Sequence, residues 1–123
     1  MEELKRRILY VEGWEDTMVA ITMRLRMCGF NVETACTLAE GLHLAKSRKY
    51  DLFLLAGLLA DAVGLELCMK IREFDRQTPI IFFSVLAYKA DRDAALAAGA
   101  QAYLVKPNDL DRLEETIHRL LGQ

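Results

Sequence analysis

Leu52-Phe-Leu-Leu55 decides how this chain folds. Every side chain in the run is apolar, so neither face of a strand formed here suits water. A strand buried on both faces belongs to a sheet covered by helices on each side, and such sheets are parallel. Ile8-Leu-Tyr-Val11 and Ile80-Ile-Phe-Phe83 have the same character. Asn31-Val-Glu-Thr-Ala35 and Ala102-Tyr-Leu-Val105 complete the short runs rich in β-branched and aromatic residues.

A helical pattern follows each run. Met18, Ile21, Leu25 and Cys28 share one face of the first, which stops at Gly29. Thr37-Leu-Ala-Glu40 opens the second as a capping box, with Thr holding a backbone amide and Glu reaching back. The third follows Gly64 and carries Leu67, Ile71 and Phe74. The fourth is Ala-rich, runs from about Lys89 to Ala98, and ends at Gly99. The fifth shows Leu110, Leu113, Ile117 and Leu120, with Asn108 or Asp109 as its cap. Five such βα units with right-handed crossovers make an open, doubly wound α/β sheet.

Length and composition agree. A chain of 123 residues suits a single domain, residues 1–123, either free-standing or a piece of a larger protein. It is 53 % hydrophobic with a net charge of −2, which excludes disorder. No stretch reaches the ~20 apolar residues of a membrane span. Sixteen basic residues against eighteen acidic ones leave no excess of basic charge for direct nucleic-acid binding. Cys28, Cys36 and Cys68 have neither disulfide-framework nor zinc-site spacing, and read as buried or half-buried thiols of a reducing compartment. Met1-Glu-Glu-Leu-Lys5 is too charged for a signal peptide, so the expected location is cytoplasmic.

In a doubly wound sheet the site lies beyond the carboxyl ends of the strands, where the strand order reverses. The residues there are Glu12, Gly13 and Trp14, then Ala56, Gly57 and Leu58, then Ser84 and Val85, and finally Lys106-Pro107.

Taken together, these segments resemble the CheY-like receiver domain of two-component response regulators over essentially the whole chain. Ile8-Leu-Tyr-Val-Glu12 is similar to the family's first strand with its acidic end. Asp51-Leu-Phe-Leu-Leu55 and Leu59-Ala-Asp-Ala-Val-Gly-Leu-Glu-Leu67 resemble the third strand and its loop. Thr78-Pro-Ile-Ile-Phe-Phe-Ser84 and Ala98-Gly-Ala-Gln-Ala-Tyr-Leu-Val-Lys-Pro107 resemble the fourth and fifth strands. The resemblance implies a bacterial-type phosphorelay domain with strand order 2-1-3-4-5. In that family an aspartate after the third strand takes a phosphoryl group from a histidine kinase, and an acidic pair after the first strand helps hold Mg²⁺. A hydroxyl residue and a lysine contact the phosphoryl group, and an aromatic in the fifth strand changes rotamer. The carboxylate serves as nucleophile, while metal and lysine neutralise the transferring group.

The chain departs from this pattern at its centre. Ala56 stands at the phosphoacceptor position, and a methyl group cannot accept phosphate. Gly13 stands at the second acidic position, so Mg²⁺ binding is expected to be lost or weak. Glu12, Ser84, Tyr103, Lys106 and Pro107 are retained. One carboxylate and one cation then remain in the pocket, and Glu12 and Lys106 are expected to pair directly or through water. Asp61 and Asp16 are the alternative phosphoacceptors, though Asp61 matches a solvated loop position and Asp16 suits the start of the first helix. Ser84 is expected either as a relic held by packing and a loop hydrogen bond or as a regulatory group. Tyr103 is expected to be a half-exposed strand tyrosine, with the switch role as alternative. Trp14 is expected to fold over the space left by acid and metal, or else to form an apolar partner patch with Leu58 and Leu59.

The expected function is that of a non-enzymatic pseudo-receiver that takes no cofactor and works by protein–protein contact. Its partner would be a histidine kinase, an output domain or a second copy, met through the fourth helix, fifth strand and fifth helix. That surface offers Tyr88, Lys89, Arg92, Tyr103, Arg112, Glu115 and Arg119. A flavin or other small molecule on the same fold is a further alternative. It is disfavoured because Glu12-Gly-Trp-Glu-Asp16 lacks a glycine-rich phosphate loop and would repel phosphate.

Overall fold

The computed structural model describes residues 5–122; the charged start at residues 1–4 lies outside them. Five strands and five α-helices alternate: β1 (Arg7–Val11), α1 (Glu15–Met27), β2 (Asn31–Ala35), α2 (Leu38–Ser47), β3 (Leu52–Leu55), α3 (Gly64–Arg72), β4 (Ile80–Ser84), α4 (Lys89–Ala97), β5 (Ala102–Val105) and α5 (Leu113–Leu120). All strand pairs are parallel and the order is β2-β1-β3-β4-β5, as expected.

The side-chain alternation of each strand sends residues to two separate cores. Ile8, Tyr10, Leu52, Leu54, Ile81 and Phe83 face Ile21 and Leu25 of α1 and Leu113 and Ile117 of α5. Leu9, Val11, Phe53, Leu55, Ile80 and Phe82 face the opposite layer, with Ala45, Leu67, Ile71 and Ala95. Each fully buried Leu or Ile contributes about 1.5–3 kcal/mol of transfer free energy. Leu54→Ala would cost about 2–5 kcal/mol, because the sheet cannot collapse into the hole.

The helix ends show how the loops are set. Thr37 Oγ1 accepts a hydrogen bond from the Glu40 amide at 3.1 Å, and Glu40 Oε1 accepts from the Cys36 amide at 3.0 Å, which completes the reciprocal cap one residue early. A 3₁₀ turn at Leu110–Arg112 precedes α5, which starts later than the periodicity predicts. Neither Asn108 nor Asp109 caps it; Asp109 Oδ2 instead accepts from the Val105 amide at 2.9 Å.

The thiols and the ends of the apolar stripes also differ from expectation. Cys68 is buried, but Cys28 and Cys36 are exposed. Cys28 is the C-cap of α1, and Cys36 sits in the loop after β2. Met23, Met27 and Met69 face outward, and Phe74, beyond the last residue of α3, is 42 % exposed.

Candidate functional site

The order reversal at β1 and β3 leaves a cleft of about 300 Å³ beyond the strand ends. Glu12, Gly13, Trp14, Ala56, Gly57, Leu58, Leu59, Val85 and Lys106 line it. Loops after four different strands therefore meet there, as the sequence predicts.

Glu12 and Lys106 form the expected ion pair directly, Nζ to Oε1, with side chains only 4 % and 12 % exposed. The Lys106 backbone amide donates to the Ser84 carbonyl at 2.8 Å, which sets the stem of the lysine at the end of β5. Its ammonium lies 5.5 Å from the centroid of the Phe83 ring. Glu12 has two further donors: the Tyr10 hydroxyl to Oε1 at 3.0 Å and the Trp14 amide to Oε2 at 3.1 Å. Burial, reinforced by the Glu12 carboxylate, pushes the Tyr10 phenol far above its ordinary value, so it remains a donor. Desolvating two charges is costly, and these extra hydrogen bonds are what let the pair persist under cover.

The loop from Gly57 to Gly64 closes the other wall. Leu59 N donates to Ala62 O and Gly64 N to Gly57 O, both at 2.8 Å, around a Leu58–Val63 bridge. Ala60 N ties the loop to Cys36 O at 3.0 Å. This backbone occupies the position of a Gly13 side chain: a Cβ there would meet Leu59 C at 2.7 Å and Ala60 N at 2.9 Å. The glycine and the closed loop require each other.

Ser84 is fully buried. Its Oγ accepts from the Leu86 amide at 3.0 Å, while the Tyr103 hydroxyl donates to the Leu86 carbonyl at 2.7 Å. One residue is thereby held at both its polar groups. Gly57 makes room for this arrangement, since a Cβ on it would stand 2.0 Å from Ser84 Oγ. Tyr103 is 8 % exposed and stacks on Phe82 at 5.6 Å, so it is inward rather than half-exposed. Apolar packing on β4 and the Leu86 carbonyl as acceptor provide the inward site that alternation alone cannot reveal. Burial raises its phenol above the ordinary value, with the Ser84 hydroxyl pulling the other way.

Trp14 does not fill the vacated space; it is 73 % exposed. The backbone of the Gly57–Gly64 loop takes up the room beside Gly13 instead. Leu58 is on the rim at 48 % exposure, whereas Leu59 is buried. Asp61 is exposed, and its Oδ1 accepts from the Leu38 amide at 2.8 Å, capping the first turn of α2. Asp16 lies in the first turn of α1. Neither aspartate lines the cleft.

Mg²⁺ needs near-octahedral oxygen ligands. Here Ala56 and Gly13 supply no side-chain oxygen, and the Glu12 carboxylate already takes three donors, one of them an ammonium. These residues do not form a Mg²⁺ coordination set, and the described residues contain no other group of three or more His, Cys, Asp or Glu able to hold a metal.

Three features escaped the sequence reading: Tyr10 as a donor to Glu12, Gly57 as the seat of Ser84, and Asp61 as a helix cap. Gly57, two residues past a wholly apolar strand, is the one with a visible signal, because glycine there marks close approach.

Comparison with known proteins bears on the fold and the family. The family model for the response regulator receiver domain matches residues 8–118. The response regulator ArlR of Staphylococcus aureus (strain Mu50) is 36 % identical over 115 residues, covering 94 % of this chain and 52 % of that protein. The chain thus spans about half the length of the curated relatives it matches. A two-component response regulator from Clostridium difficile superposes with a TM-score of 0.90 at 28 % identity, over 97 % of this chain and 98 % of that one. The receiver domain of a Pseudomonas aeruginosa sensor histidine kinase, with a magnesium ion coordinated in its active-site cleft, gives 0.88 at 28 % identity, over 98 % and 100 %. A family model spanning nearly the whole chain, a sheet ordered 2-1-3-4-5 and a cleft at its switch point place this chain in the response regulator receiver domain family.

Proposed function

We propose that this chain is a pseudo-receiver: a receiver domain that takes no phosphoryl group, holds no Mg²⁺, catalyses nothing and acts by binding other proteins. The carrying observation is the Glu12–Lys106 pair beside Ala56. In a working site the lysine and the metal neutralise an incoming phosphoryl group. Here the lysine is committed to the one remaining carboxylate, and the nucleophile's position carries a methyl group.

The inward Tyr103, fixed through Leu86, supports a domain held in a single state rather than switched by phosphate. Its partner would be a histidine kinase, an output domain or a second copy, met through α4, β5 and α5. Tyr88 is 81 % exposed there, with Arg92, Glu115 and Arg119 also in solvent. Tyr103 contributes packing beneath this surface, not contact on it. No described helix is long and apolar enough to cross a membrane, and we place the domain in the cytoplasm.

Incubation with acetyl phosphate and Mg²⁺, followed by intact-mass spectrometry, tests the reading. The expected mass is unchanged. An added phosphoryl group mapped to Asp61 or Asp16 would overturn it. Trp14 fluorescence should likewise ignore millimolar Mg²⁺.

A further inference from the structure

Helix α1 is apolar on two sides. Met18, Ile21 and Leu25 are buried against the sheet. Val19, Met23 and Met27 recur every four residues, so they form one row along the opposite, outward side. They are 51, 60 and 86 % exposed. Among the described residues no other α-helix has more than one large apolar side chain in solvent: α3 has Met69 and α4 has Leu96. A single exposed apolar residue is ordinary. A row of three on one helix is an apolar face without cover, and helices apolar on all sides are normally buried.

Charge decides what fits this face. Glu15 and Asp16 stand in the first turn of α1, and Arg24 and Arg26 in the last. Arg24 is paired with Glu114 at 2.5 Å. Arg26 donates to a backbone carbonyl, Val32 O, at 2.9 Å, and no carboxylate pairs with it. Among the described residues Glu15 and Asp16 have neither an ion pair nor a side-chain hydrogen bond. The helix dipole suits acids first and bases last, yet these three formal charges are left without a partner of opposite sign. Turned end for end, the same face brings its base to the acids and its apolar row to the apolar row. It is complementary to itself in the antiparallel sense, as a two-fold contact requires. A membrane surface would instead favour basic residues beside the row, not a first turn with two acids.

We propose that two copies of this chain associate through α1, packed antiparallel about a two-fold axis, with Val19 of each copy against Met23 of the other. Position 21 is midway between 19 and 23 and also between 16 and 26, so the same register sets Arg26 of each copy opposite Asp16 of the other. The helix has 13 residues, about 20 Å of length. A contact centred on it is small, and the dimer should form only above about 10 μM. It differs from the α4–β5–α5 surface and does not depend on whether a phosphoryl group enters the cleft.

Sedimentation velocity in reducing buffer, from roughly 5 to 500 μM to bracket a weak interface, tests it. Reduction matters because Cys28 and Cys36 are exposed. A passage from monomer to dimer with rising concentration is expected. Met23→Glu changes an exposed position and spares the fold. A two-fold contact carries each substitution twice, so this variant should weaken the dimer at least about tenfold. Asp16→Arg sets like charges opposite each other and should weaken it too. Asp16→Arg combined with Arg26→Glu exchanges both signs and should restore most of the association, with circular dichroism confirming the fold. Arg92→Glu, on the exposed side of α4, should leave the dimer unchanged. A monomer at every concentration, a dimer that survives Met23→Glu, a folded double exchange that stays as weak as Asp16→Arg, or a dimer lost in Arg92→Glu would overturn the proposal.

Discussion

Gly13 stands against the backbone of Leu59 so closely that a Cβ on it would lie 2.7 Å from the Leu59 carbonyl carbon. Side chains of real proteins do not approach a backbone carbon that closely. The glycine at this position is therefore fixed by packing. The loop after β3 occupies the room that a side chain at position 13 would need, and its hydrogen bonds to Cys36 and across the Leu58–Val63 bridge keep it there.

Restoring the acid should accordingly fail. Gly13→Asp must displace Leu59 and Ala60, and overpacking of this kind costs about 1–3 kcal/mol. Urea unfolding should report that loss, and Trp14 fluorescence should still ignore Mg²⁺. A variant with undiminished stability and a saturable Mg²⁺ response would show that the loop is free to open.

Breaking the ion pair from one side should hurt more than removing both partners. Lys106→Met leaves the Glu12 carboxylate buried without its cation, at about 3–5 kcal/mol. Glu12→Gln combined with Lys106→Met removes both charges and should recover much of that cost, since the desolvation penalty goes with them. A double-mutant cycle by chemical denaturation measures the coupling. Strictly additive losses would mean that the two groups do not interact.

Gly57→Ala should dislodge Ser84, whose Oγ would lie 2.0 Å from the new Cβ. With Ser84 displaced, Leu86 loses its amide acceptor and Tyr103 its ordered partner. Hydroxyl-radical footprinting should then find Tyr103 more reactive, and the Leu86 amide should exchange faster with deuterium. Tyr103→Phe removes only one bond and should cost about 1 kcal/mol. An unchanged footprint in Gly57→Ala would refute the link from Gly57 to Tyr103.

Acid should weaken the opposite end of the sheet. Glu33 accepts from Arg7 at 2.5 Å and Arg48 at 2.6 Å. Burial by itself would raise its carboxyl, but the hydrogen bonds from Arg7 and Arg48 outweigh it and hold the group below the ordinary 4.5. A lowered carboxyl stabilises the fold above its unfolded value, and that stabilisation disappears as pH falls through the lower folded value. Wild type should therefore exceed Glu33→Gln in urea stability by most at pH 7, with the gap narrowing below about pH 4.5. A gap that stays constant down to pH 3 would contradict the assignment.

The fold was legible because it rests on periodicity. Leu52-Phe-Leu-Leu55, Ile8-Leu-Tyr-Val11 and Ile80-Ile-Phe-Phe83 are apolar on both faces, and only a covered parallel sheet satisfies such strands. The location of the cleft, the alanine in its wall at position 56 and the meeting of Glu12 with Lys106 could be read the same way. Each follows from which residues stand at strand ends and from the attraction of the one acid for the one base left in the pocket.

What the chain alone did not disclose depends on contacts between residues far apart in sequence. Whether Trp14 covers the cleft or stands in solvent depends on how the Gly57–Gly64 loop closes over Gly13. Whether Tyr103 faces in or out depends on a carbonyl at Leu86 that Ser84 positions, and Ser84 has room only because Gly57 lacks a side chain. Local pattern dictates strands and helices because its causes lie within a few residues. Side-chain placement at the site belongs to the tertiary structure, because packing and hydrogen bonding are settled only when loops from separate strands come within ångströms of one another.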